Sequence, residues 1–431
     1  MRKIVVLGLM VLGLLCLTGC KKDQTGKAGL ESLVVTEEDY QQGNLSTWML
    51  IPMMKTEKGH YYYSETHQGF RYYDIATGTD MYLCNKPECR HDGSDFCVAT
   101  NKKYRWERFG MYNGRLYAAG VEETESQYLY KLLTIAPDGS EMSEVLTYLT
   151  VAKMGQQPED NQWKAGLYMH RNKAMIPIEV QSEDGLEESK SYGTAIVDLD
   201  TKEVTYLDET PLSKENIPVK NISAFGDYFY YYRREGKKNV LHRYNINDGS
   251  DESYKLLVGF VGEYVVLDDN TIVYLRGGKT TLCVNYHDTG ENVEKVTLKK
   301  DVNGEERLEQ VCCLLTDGTY LYVTHMFGWY HLEGELTKTF QEMRVFDYDL
   351  NELVKVDMVQ EDVLADGEWV DWSYVTERMR LMGEEIYCEL HPYIGSALAP
   401  WRHAGGVYVF KCNRSDLLQG KVDFEFVYKR E

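Results

Sequence analysis

The sequence predicts an all-β fold, a single β-propeller of seven blades with four antiparallel strands in each. The chain contains 34 tyrosines and only 9 prolines. Its short aromatic and β-branched runs, such as Tyr228–Tyr232 and Thr271–Leu275, favour strands. Long helical periodicity is absent. Two local patterns also recur along the chain, and repeats of this size are typical of propeller blades.

The first repeated pattern is a turn that leads into a short aromatic strand. Its seven copies are Gly59–Tyr63, Asn113–Tyr117, Ala165–Met169, Gly226–Tyr230, Asp269–Tyr274, Asp317–Tyr322 and Gly383–Tyr387. Successive copies start between 43 and 66 residues apart, which leaves room for four strands and their turns.

The second pattern is an apolar strand that runs into a turn rich in Asn, Asp and Gly. Its seven copies are Tyr72–Gly78, Leu133–Gly139, Ile196–Lys202, Tyr244–Gly249, Val284–Gly290, Phe346–Asn351 and Phe410–Ser415. These residue types suit hairpin turns because they tolerate positive φ or bond to their own backbone. Each copy follows one copy of the first pattern, so the pair defines one blade.

The repeat fixes the number of blades only if every copy is genuine. A ring of six blades would require one degenerate copy among the seven, and a ring of eight would require a unit hidden in residues 30–58. Because an open ring leaves exposed strand edges, we expect a strand near Leu33–Val35 to pair with Val422–Tyr428 and close the ring.

The two patterns also predict which face of the propeller is elaborated. If the first pattern joins the first two strands of a blade and the second joins the last two, both sets of turns lie on one rim. The remaining connections, which include all the long segments, then lie on the opposite rim. Binding usually resides in loops held on a rigid scaffold, so we expect it on this second rim.

The N-terminus predicts export and a lipid anchor. Arg2 and Lys3 precede an apolar run, residues 4–17, that is too short to span a bilayer as a helix but is typical of a signal peptide. Leu17–Cys20 resembles the lipobox of bacterial lipoproteins. The resemblance implies cleavage before Cys20 and diacylation of its thiol, which suffices for stable anchoring. The alternative is an ordinary cleaved signal followed by a chance cysteine.

This reading divides the chain into three parts. Residues 1–19 are the predicted signal peptide, residues 20–30 the lipidated cysteine and a polar tether, and residues 31–431 the propeller. The predicted location is the cell membrane, with the body on its extracytoplasmic side. Without Arg2 and Lys3 the formal charge falls from −21 to −23, which argues against nucleic acid as a partner. We expect a monomer.

A cysteine-rich segment follows the first predicted blade. Cys84, Cys89, His91 and Cys97 offer three sulfur ligands and one imidazole within a short stretch, which suits a tetrahedral structural zinc site. Outside the cell, a disulfide between two of the three cysteines is an equally physical reading. Reduced thiols are the third alternative. A zinc with four protein ligands would have no open position for catalysis, so its role would be to hold the crossing in place.

Together, the lipobox and this cysteine-rich loop resemble those of uncharacterised β-propeller lipoproteins of Gram-positive anaerobic bacteria. The resemblance covers a small part of the chain and implies no known activity. The spacing Cys-x4-Cys-x-His-x5-Cys also differs from that of a standard zinc finger.

Two further loops contain residues that commonly bind ligands. Aromatic, imidazole and guanidinium groups stack on sugar rings or anchor protein partners. The candidate binding residues are His325, Trp329, His331, His391, Tyr393, Trp401, Arg402 and His403. The competing interpretation is that the tryptophans pack between blades and the histidines lie on the surface.

The function predicted from these features is a non-catalytic binding module at the cell surface for a protein or a glycan. The alternative is a structural protein of envelope assembly. A glycan-degrading enzyme is the third class, but no nucleophile elbow, zinc-protease motif or phosphate loop is present in the sequence, and no catalytic residue is assigned.

Overall fold

The computed structural model describes residues 53–64, 67–152, 162–181, 190–207, 219–235, 238–256, 263–276, 281–302, 305–308, 310–317, 319–327, 340–358, 364–365, 368–369, 379–390 and 407–430. Seven antiparallel sheets, each built on four consecutive strands, follow one another along these residues. Each sheet is one propeller blade, so the predicted fold class and the number of blades are confirmed. We number the blades I to VII and letter their strands A to D in chain order.

The strand boundaries follow in chain order. Blade I comprises Met53–Lys55, Gly59–Ser64, Gly69–Asp74 and Thr79–Tyr82. Blade II comprises Tyr104–Tyr112, Arg115–Glu123, Gln127–Ile135 and Met142–Ala152. Blade III comprises Tyr168–His170, Lys173–Gln181, Lys190–Asp198 and Val204–Tyr206, with Gln162–Ala165 as an additional strand. Blade IV comprises Lys220–Phe225, Tyr228–Glu235, Lys238–Asn245 and Asp251–Ser253.

The remaining blades have the same order. Blade V comprises Tyr264–Val266, Thr271–Arg276, Thr281–Tyr286 and Glu291–Thr297. Blade VI comprises Gln310–Thr316, Leu321–Phe327, Phe340–Phe346 and Glu352–Asp357. Blade VII comprises Met379–Met382, Glu385–Leu390, Val407–Asn413 and Glu425–Arg430, with the short helix Arg414–Leu417 between its last two strands. Two hairpins, Lys299–Val302 with Glu305–Leu308 and Leu364–Ala365 with Glu368–Trp369, lie between blades in the sequence.

The two repeated sequence patterns form the turns of the blades. In six blades the first pattern supplies the turn between strands A and B, and in all seven the second pattern connects strands C and D. Asn113 and Gly114 of blade II have φ angles of 48° and 70°. Two consecutive positive φ angles define a type I′ turn, whose twist matches that of the flanking antiparallel strands.

The copy of the first pattern predicted in blade III is misplaced. Ala165–Met169 is not the turn between strands A and B; it spans a break at which Gln162–Ala165 ends and strand A begins. The Gly166 amide donates there to the Pro177 carbonyl oxygen. The true turn is Arg171–Asn172, in which Arg171 has a φ of 50°. The prediction failed because the strand that follows this turn, Lys173–Gln181, contains no aromatic residue, and the pattern depends on one.

Shared hydrophobic cores close the ring. Five clusters of buried side chains join blades II to III, III to IV, IV to V, V to VI and VI to VII. A sixth cluster joins blade I to both blade II and blade VII. Strand D is the exposed outer strand in blades IV, V and VI, where most of its side chains are exposed or half-buried. Every blade therefore packs against two neighbours.

The chain termini were expected to close the ring. The C-terminal strand Glu425–Arg430 pairs with Val407–Asn413, so blade VII takes all four strands from the C-terminal part of the chain. The expected partner strand near Leu33–Val35 lies outside the described residues, as do the predicted signal peptide, Cys20 and the tether. Among the residues that the structure describes, no helix has the length and apolar character needed to cross a membrane.

Candidate metal centre

The cysteine-rich segment is the crossing from strand D of blade I to strand A of blade II, residues 83–103. Its beginning and its end are both bonded to the same residue of blade I. The Leu83 amide donates to the Phe70 carbonyl oxygen (2.9 Å), and the Phe70 amide donates to the Ala99 carbonyl oxygen (2.9 Å). Backbone hydrogen bonds therefore hold the two ends of the segment side by side on strand C of blade I.

A tight turn brings Cys89 back towards Cys84. The Cys89 amide donates to the Lys86 carbonyl oxygen (3.3 Å), with Pro87 as the second residue of the turn. Glu88, the third residue, has a φ of 63°. Proline at the second position and positive φ at the third are the features of a type II turn, in which the third position favours glycine. The loop thus adopts an unfavourable backbone conformation at Glu88 in order to bring Cys89 inward.

His91 is oriented by a stacked aromatic ring. The imidazole of His91 lies 4.6 Å from the Tyr82 ring, centroid to centroid, with an angle of 26° between the planes. The guanidinium of Arg71 also lies 4.6 Å from the centre of the Tyr82 ring and forms an ion pair with Asp80 (3.0 Å). In this orientation, His91 Nδ1 lies 3.4 Å from Cys97 Sγ.

A second turn positions Cys97. The Cys97 amide donates to the Ser94 carbonyl oxygen (3.0 Å), and the Gly93 amide donates to the Thr100 hydroxyl (3.1 Å). The Thr100 backbone N–H in turn donates to Cys97 Sγ (3.4 Å). Hydrogen bonds of this kind orient a thiolate ligand and stabilise its charge. Thr100 is thus a supporting residue that the sequence pattern did not indicate.

The four predicted ligands converge on one point. One ligand atom from each of Cys84, Cys89, His91 and Cys97 lies within 4.8 Å of each of the others. Cys84 and Cys97 are buried, whereas Cys89 and His91 are half-buried. The four residues therefore lie close enough together to hold one metal ion.

The electrostatics of the group favour a thiolate. A hydrogen bond from the Cys84 thiol lowers the pKa of Cys97, and His91 and Thr100 lower it further. The pKa of Cys84 is raised, because its thiol donates this hydrogen bond to Cys97 and because it is buried. The thiolate is the form of cysteine that binds metals and reacts as a nucleophile. Cys97 is thus prepared as a metal ligand, while Cys84 must lose its proton when a metal binds.

The donor set fits zinc. Tetrahedral zinc with Zn–S bonds of about 2.3 Å separates its sulfur ligands by roughly 3.8 Å, and separates sulfur from nitrogen by roughly 3.6 Å. The distance of 3.4 Å between His91 Nδ1 and Cys97 Sγ is close to that value. Within the described part of the chain, Cys84, Cys89 and Cys97 are free thiols. Four protein ligands would fill the coordination sphere, which is the arrangement of a structural rather than a catalytic site.

The structure describes little of the predicted binding loops. His325 lies in strand B of blade VI, opposite Glu342 of strand C. The other candidates lie outside the described residues; they are Trp329, His331, His391, Tyr393, Trp401, Arg402 and His403. The strand boundaries place residues 328–339 and 391–406 between strands B and C of blades VI and VII. Both connections therefore leave their blades at the rim that the sequence analysis expected to be elaborated.

Comparisons with known proteins give no functional assignment. No protein-family model and no curated protein matches the sequence. The fold is similar to that of U3-55K, with a TM-score of 0.41 and 8% identity over 85% of this chain and 93% of that chain. It is also similar to Hsv2 of Kluyveromyces lactis, with a TM-score of 0.40 and 11% identity over 87% and 96% of the two chains.

A third similar structure is the protein lmo1340 of Listeria monocytogenes EGD-e, described as uncharacterized. Its TM-score is 0.38, with 11% identity over 83% of this chain and 92% of that chain. Because these TM-scores are low, the assignment of the fold rests on the strand pairing and the shared cores. On that basis the chain is a seven-bladed β-propeller.

Proposed function

We propose that the chain is a lipid-anchored, extracytoplasmic β-propeller that binds a protein or glycan ligand without catalysis. The observation that carries this proposal is the difference between the two rims of the ring. On one rim the turns between strands A and B are short, the longest being residues 267–270 and 317–320. On the other rim, the connections include residues 83–103, 328–339, 358–378 and 391–406.

The three longest connections on this rim belong to neighbouring blades. Residues 328–339, 358–378 and 391–406 start from blades VI and VII, and residues 83–103 start from blade I. Blade VII shares a buried core with both blade VI and blade I. One arc of the ring therefore supplies the three longest connections, residues 83–103, 358–378 and 391–406. A rigid scaffold with loops on one side is a common design for binding.

The aromatic loops are the proposed contact residues, and a paired substitution tests them. The full chain, purified in detergent, would be labelled and applied to an array of glycans and to immobilised envelope proteins. Trp329→Ala combined with Trp401→Ala should weaken the affinity for any bound ligand by about tenfold or more, because buried aromatic anchors dominate such interfaces.

The control residue lies on the opposite rim, where the turns between strands are short. Ile75, in the turn between strands C and D of blade I, is 41% exposed, and Ile75→Ala should leave the affinity unchanged. Binding that survives the double substitution would contradict the proposed contact residues. Cleavage of a bound glycan, detected as new reducing ends, would contradict the non-catalytic assignment.

The proposal includes a structural zinc ion bound by Cys84, Cys89, His91 and Cys97. When bound, the metal would supply a cross-link between the two turns of the crossing and no reactive centre. Elemental analysis of the purified chain should give about one zinc per molecule, because the donor set forms one closed tetrahedral site. Cys89→Ser should abolish it.

A thiol count distinguishes zinc from a disulfide. If two of the three cysteines are oxidised to a disulfide instead, the denatured protein will show two fewer reactive thiols than its cysteines predict, and no metal will be found.

A further inference from the structure

The crossing that contains the four ligands also contacts the next blade. The Asn85 amide donates to the Gly139 carbonyl oxygen (3.4 Å), and the Asn85 side-chain amide donates to Asp138 Oδ2 (3.4 Å). Asp138 and Gly139 belong to the turn between strands C and D of blade II. The residue that follows the first ligand is therefore bonded to blade II, while Leu83, which precedes that ligand, is bonded to blade I.

Gly139 approaches the crossing at backbone distance. A Cβ atom at this position would lie 2.3 Å from the Leu83 carbonyl oxygen and 2.7 Å from the Cys84 amide nitrogen. Its φ of 69° also lies in the region that favours glycine. The turn of blade II thus packs directly on the peptide bond between Leu83 and Cys84.

The same turn is bonded to blade I at a second point. The Tyr61 hydroxyl, from strand B of blade I, donates to the Pro137 carbonyl oxygen (3.0 Å). Inside the turn, the Gly139 amide donates to the Ala136 carbonyl oxygen (2.8 Å). The turn is therefore a compact unit with Tyr61 on one side and the crossing on the other.

Between the two ends that are bonded to Phe70, residues 84–97 bury no side chain other than those of the ligands Cys84 and Cys97. Residues 84–103 contain no strand or helix, and their local core consists of Cys84, Cys97 and Ala99, with Tyr82 and Cys89 packed against it. A loop of this kind, with few buried apolar contacts, is expected to open more readily than the blades. A metal that joins the four ligands would restrict the conformational freedom of this loop, in the same way as a cross-link between distant residues.

We infer that a soft divalent metal at the group of three cysteines and one histidine acts as a staple between blades I and II. The inference rests on the proposed zinc site. Because Cys84 lies between Leu83, bonded to blade I, and Asn85, bonded to blade II, fixing its sulfur fixes the contact between the blades. The donor set selects zinc over magnesium or calcium, which require oxygen ligands.

Hydrogen exchange tests the staple. The full chain in detergent would be stripped of metal with a chelator under reducing conditions and reloaded with Zn²⁺, or with Mg²⁺ as a control. Zn²⁺ should slow amide exchange by about tenfold or more in two peptides, residues 84–100 and residues 136–141, because both open locally when the loop is loose. The equivalent turn of blade IV, residues 246–250, belongs to a blade that packs against blades III and V, and it should not respond.

Asn85→Ala removes the side-chain bond to Asp138, but it keeps the backbone bond from Asn85 to Gly139 and all four ligands. In this variant Zn²⁺ should still protect residues 84–100, and its protection of residues 136–141 should be reduced in part, because only the backbone contacts remain. Cys89→His, which keeps a zinc ligand at that position, should retain protection of both peptides where Cys89→Ser loses it.

The outcomes separate the staple from the zinc site. If Zn²⁺ binds and protects residues 84–100 while exchange in residues 136–141 is unchanged, the staple is wrong and the zinc site stands. If Zn²⁺ does not bind with defined stoichiometry, both fail. Equal protection of residues 136–141 in wild type and Asn85→Ala would overturn the role assigned to the Asn85 side chain in linking the blades.

Discussion

Tyr73 and Tyr428 stack face to face across the seam between the first and the last blade, with ring centroids 4.2 Å apart and 16° between the ring planes. The Tyr73 hydroxyl also donates to the Val427 carbonyl oxygen (3.1 Å), and the Tyr428 hydroxyl lies 3.1 Å from Met53 Sδ. This aromatic pair thus joins strand C of blade I to strand D of blade VII, in a ring whose closure depends on packing between these blades.

Tyr428→Ala should therefore destabilise the protein strongly. Tyr428 is 5% exposed, and truncating a buried aromatic side chain typically costs about 3–5 kcal/mol. Tyr428→Phe keeps the stack and loses only the hydroxyl contact, so its cost should be about 1 kcal/mol. The free energy of unfolding in urea measures both effects.

Phe426 provides the matched control for the seam. It lies on the same strand but is 36% exposed, so Phe426→Ala should cost clearly less than Tyr428→Ala. If the two alanine variants lose the same free energy of unfolding, the stack across the seam does not stabilise the closed ring more than an ordinary half-exposed contact does.

Zinc should also raise the thermal stability of the wild-type protein. A ligand that binds only the folded state at a hundred times its Kd adds about 2.7 kcal/mol to the free energy of unfolding. Calorimetry with and without Zn²⁺ should show a higher Tm for wild type. Cys97→Ala, which removes the buried thiolate ligand, should abolish the shift. A shift of equal size in Cys283→Ala is expected, because Cys283 lies on strand C of blade V, away from the crossing.

The blade repeat could be predicted because hairpin turns are local. Asn113 and Gly114 determine their turn by their own conformational preferences, and the same chemistry marks most other blades. Blade III shows where this reasoning fails. Arg171 takes the left-handed conformation without being glycine or asparagine, and its turn is imposed by the strands on either side.

The candidate metal site likewise has features that the sequence could predict and features that it could not. The sequence spacing was sufficient to group Cys84, Cys89, His91 and Cys97, because all four lie in one short loop. It could not indicate that Tyr82 would stack on His91 or that Asn85 would bond to Asp138. Those contacts depend on how one blade lies against the next, and no local pattern encodes that arrangement.

The lipid anchor remains a prediction of the sequence, and Cys20→Ser tests it. In a bacterial host fed an alkyne-tagged fatty acid, the wild-type protein should carry the tag and partition into detergent, because two acyl chains suffice for stable anchoring. Cys20→Ser should lose the tag and the partitioning. Cys16→Ser changes a cysteine inside the apolar run and should retain both. Tagging of the Cys20→Ser variant would contradict the predicted lipobox.

His60 should make the seam between blades VII and I sensitive to acid. Its imidazole is fully buried, among the rings of Tyr73, Tyr387 and Tyr428, and neither ring nitrogen has a hydrogen-bond partner. Burial, together with the positive charge of Lys55, lowers the pKa of His60 to about 3, although the negative charge of Glu385 opposes this.

The direction of the pH dependence follows from where the proton binds. An unfolded histidine takes up a proton below a pH of about 6.5, whereas folded His60 does so only near its lowered pKa. Between these values the unfolded state binds more protons, so stability falls as the pH falls. At pH 5 this single site should cost about 2 kcal/mol relative to pH 7.5.

His60→Phe should remove that loss, because phenylalanine fills a similar space among the same rings and cannot take up a proton. Urea unfolding at pH 7.5, 6 and 5 would compare it with wild type and with His287→Gln, a histidine in blade V bonded to Glu252. Glu385 accepts hydrogen bonds from Lys411 and Tyr387, and neither substitution removes these partners, so its own titration should cancel in the comparison. The free energy of unfolding of His60→Phe should decline less with acid than that of the other two proteins.

Parallel curves for all three proteins would instead show that His60 is readily protonated in the folded state, and that the seam tolerates its charge.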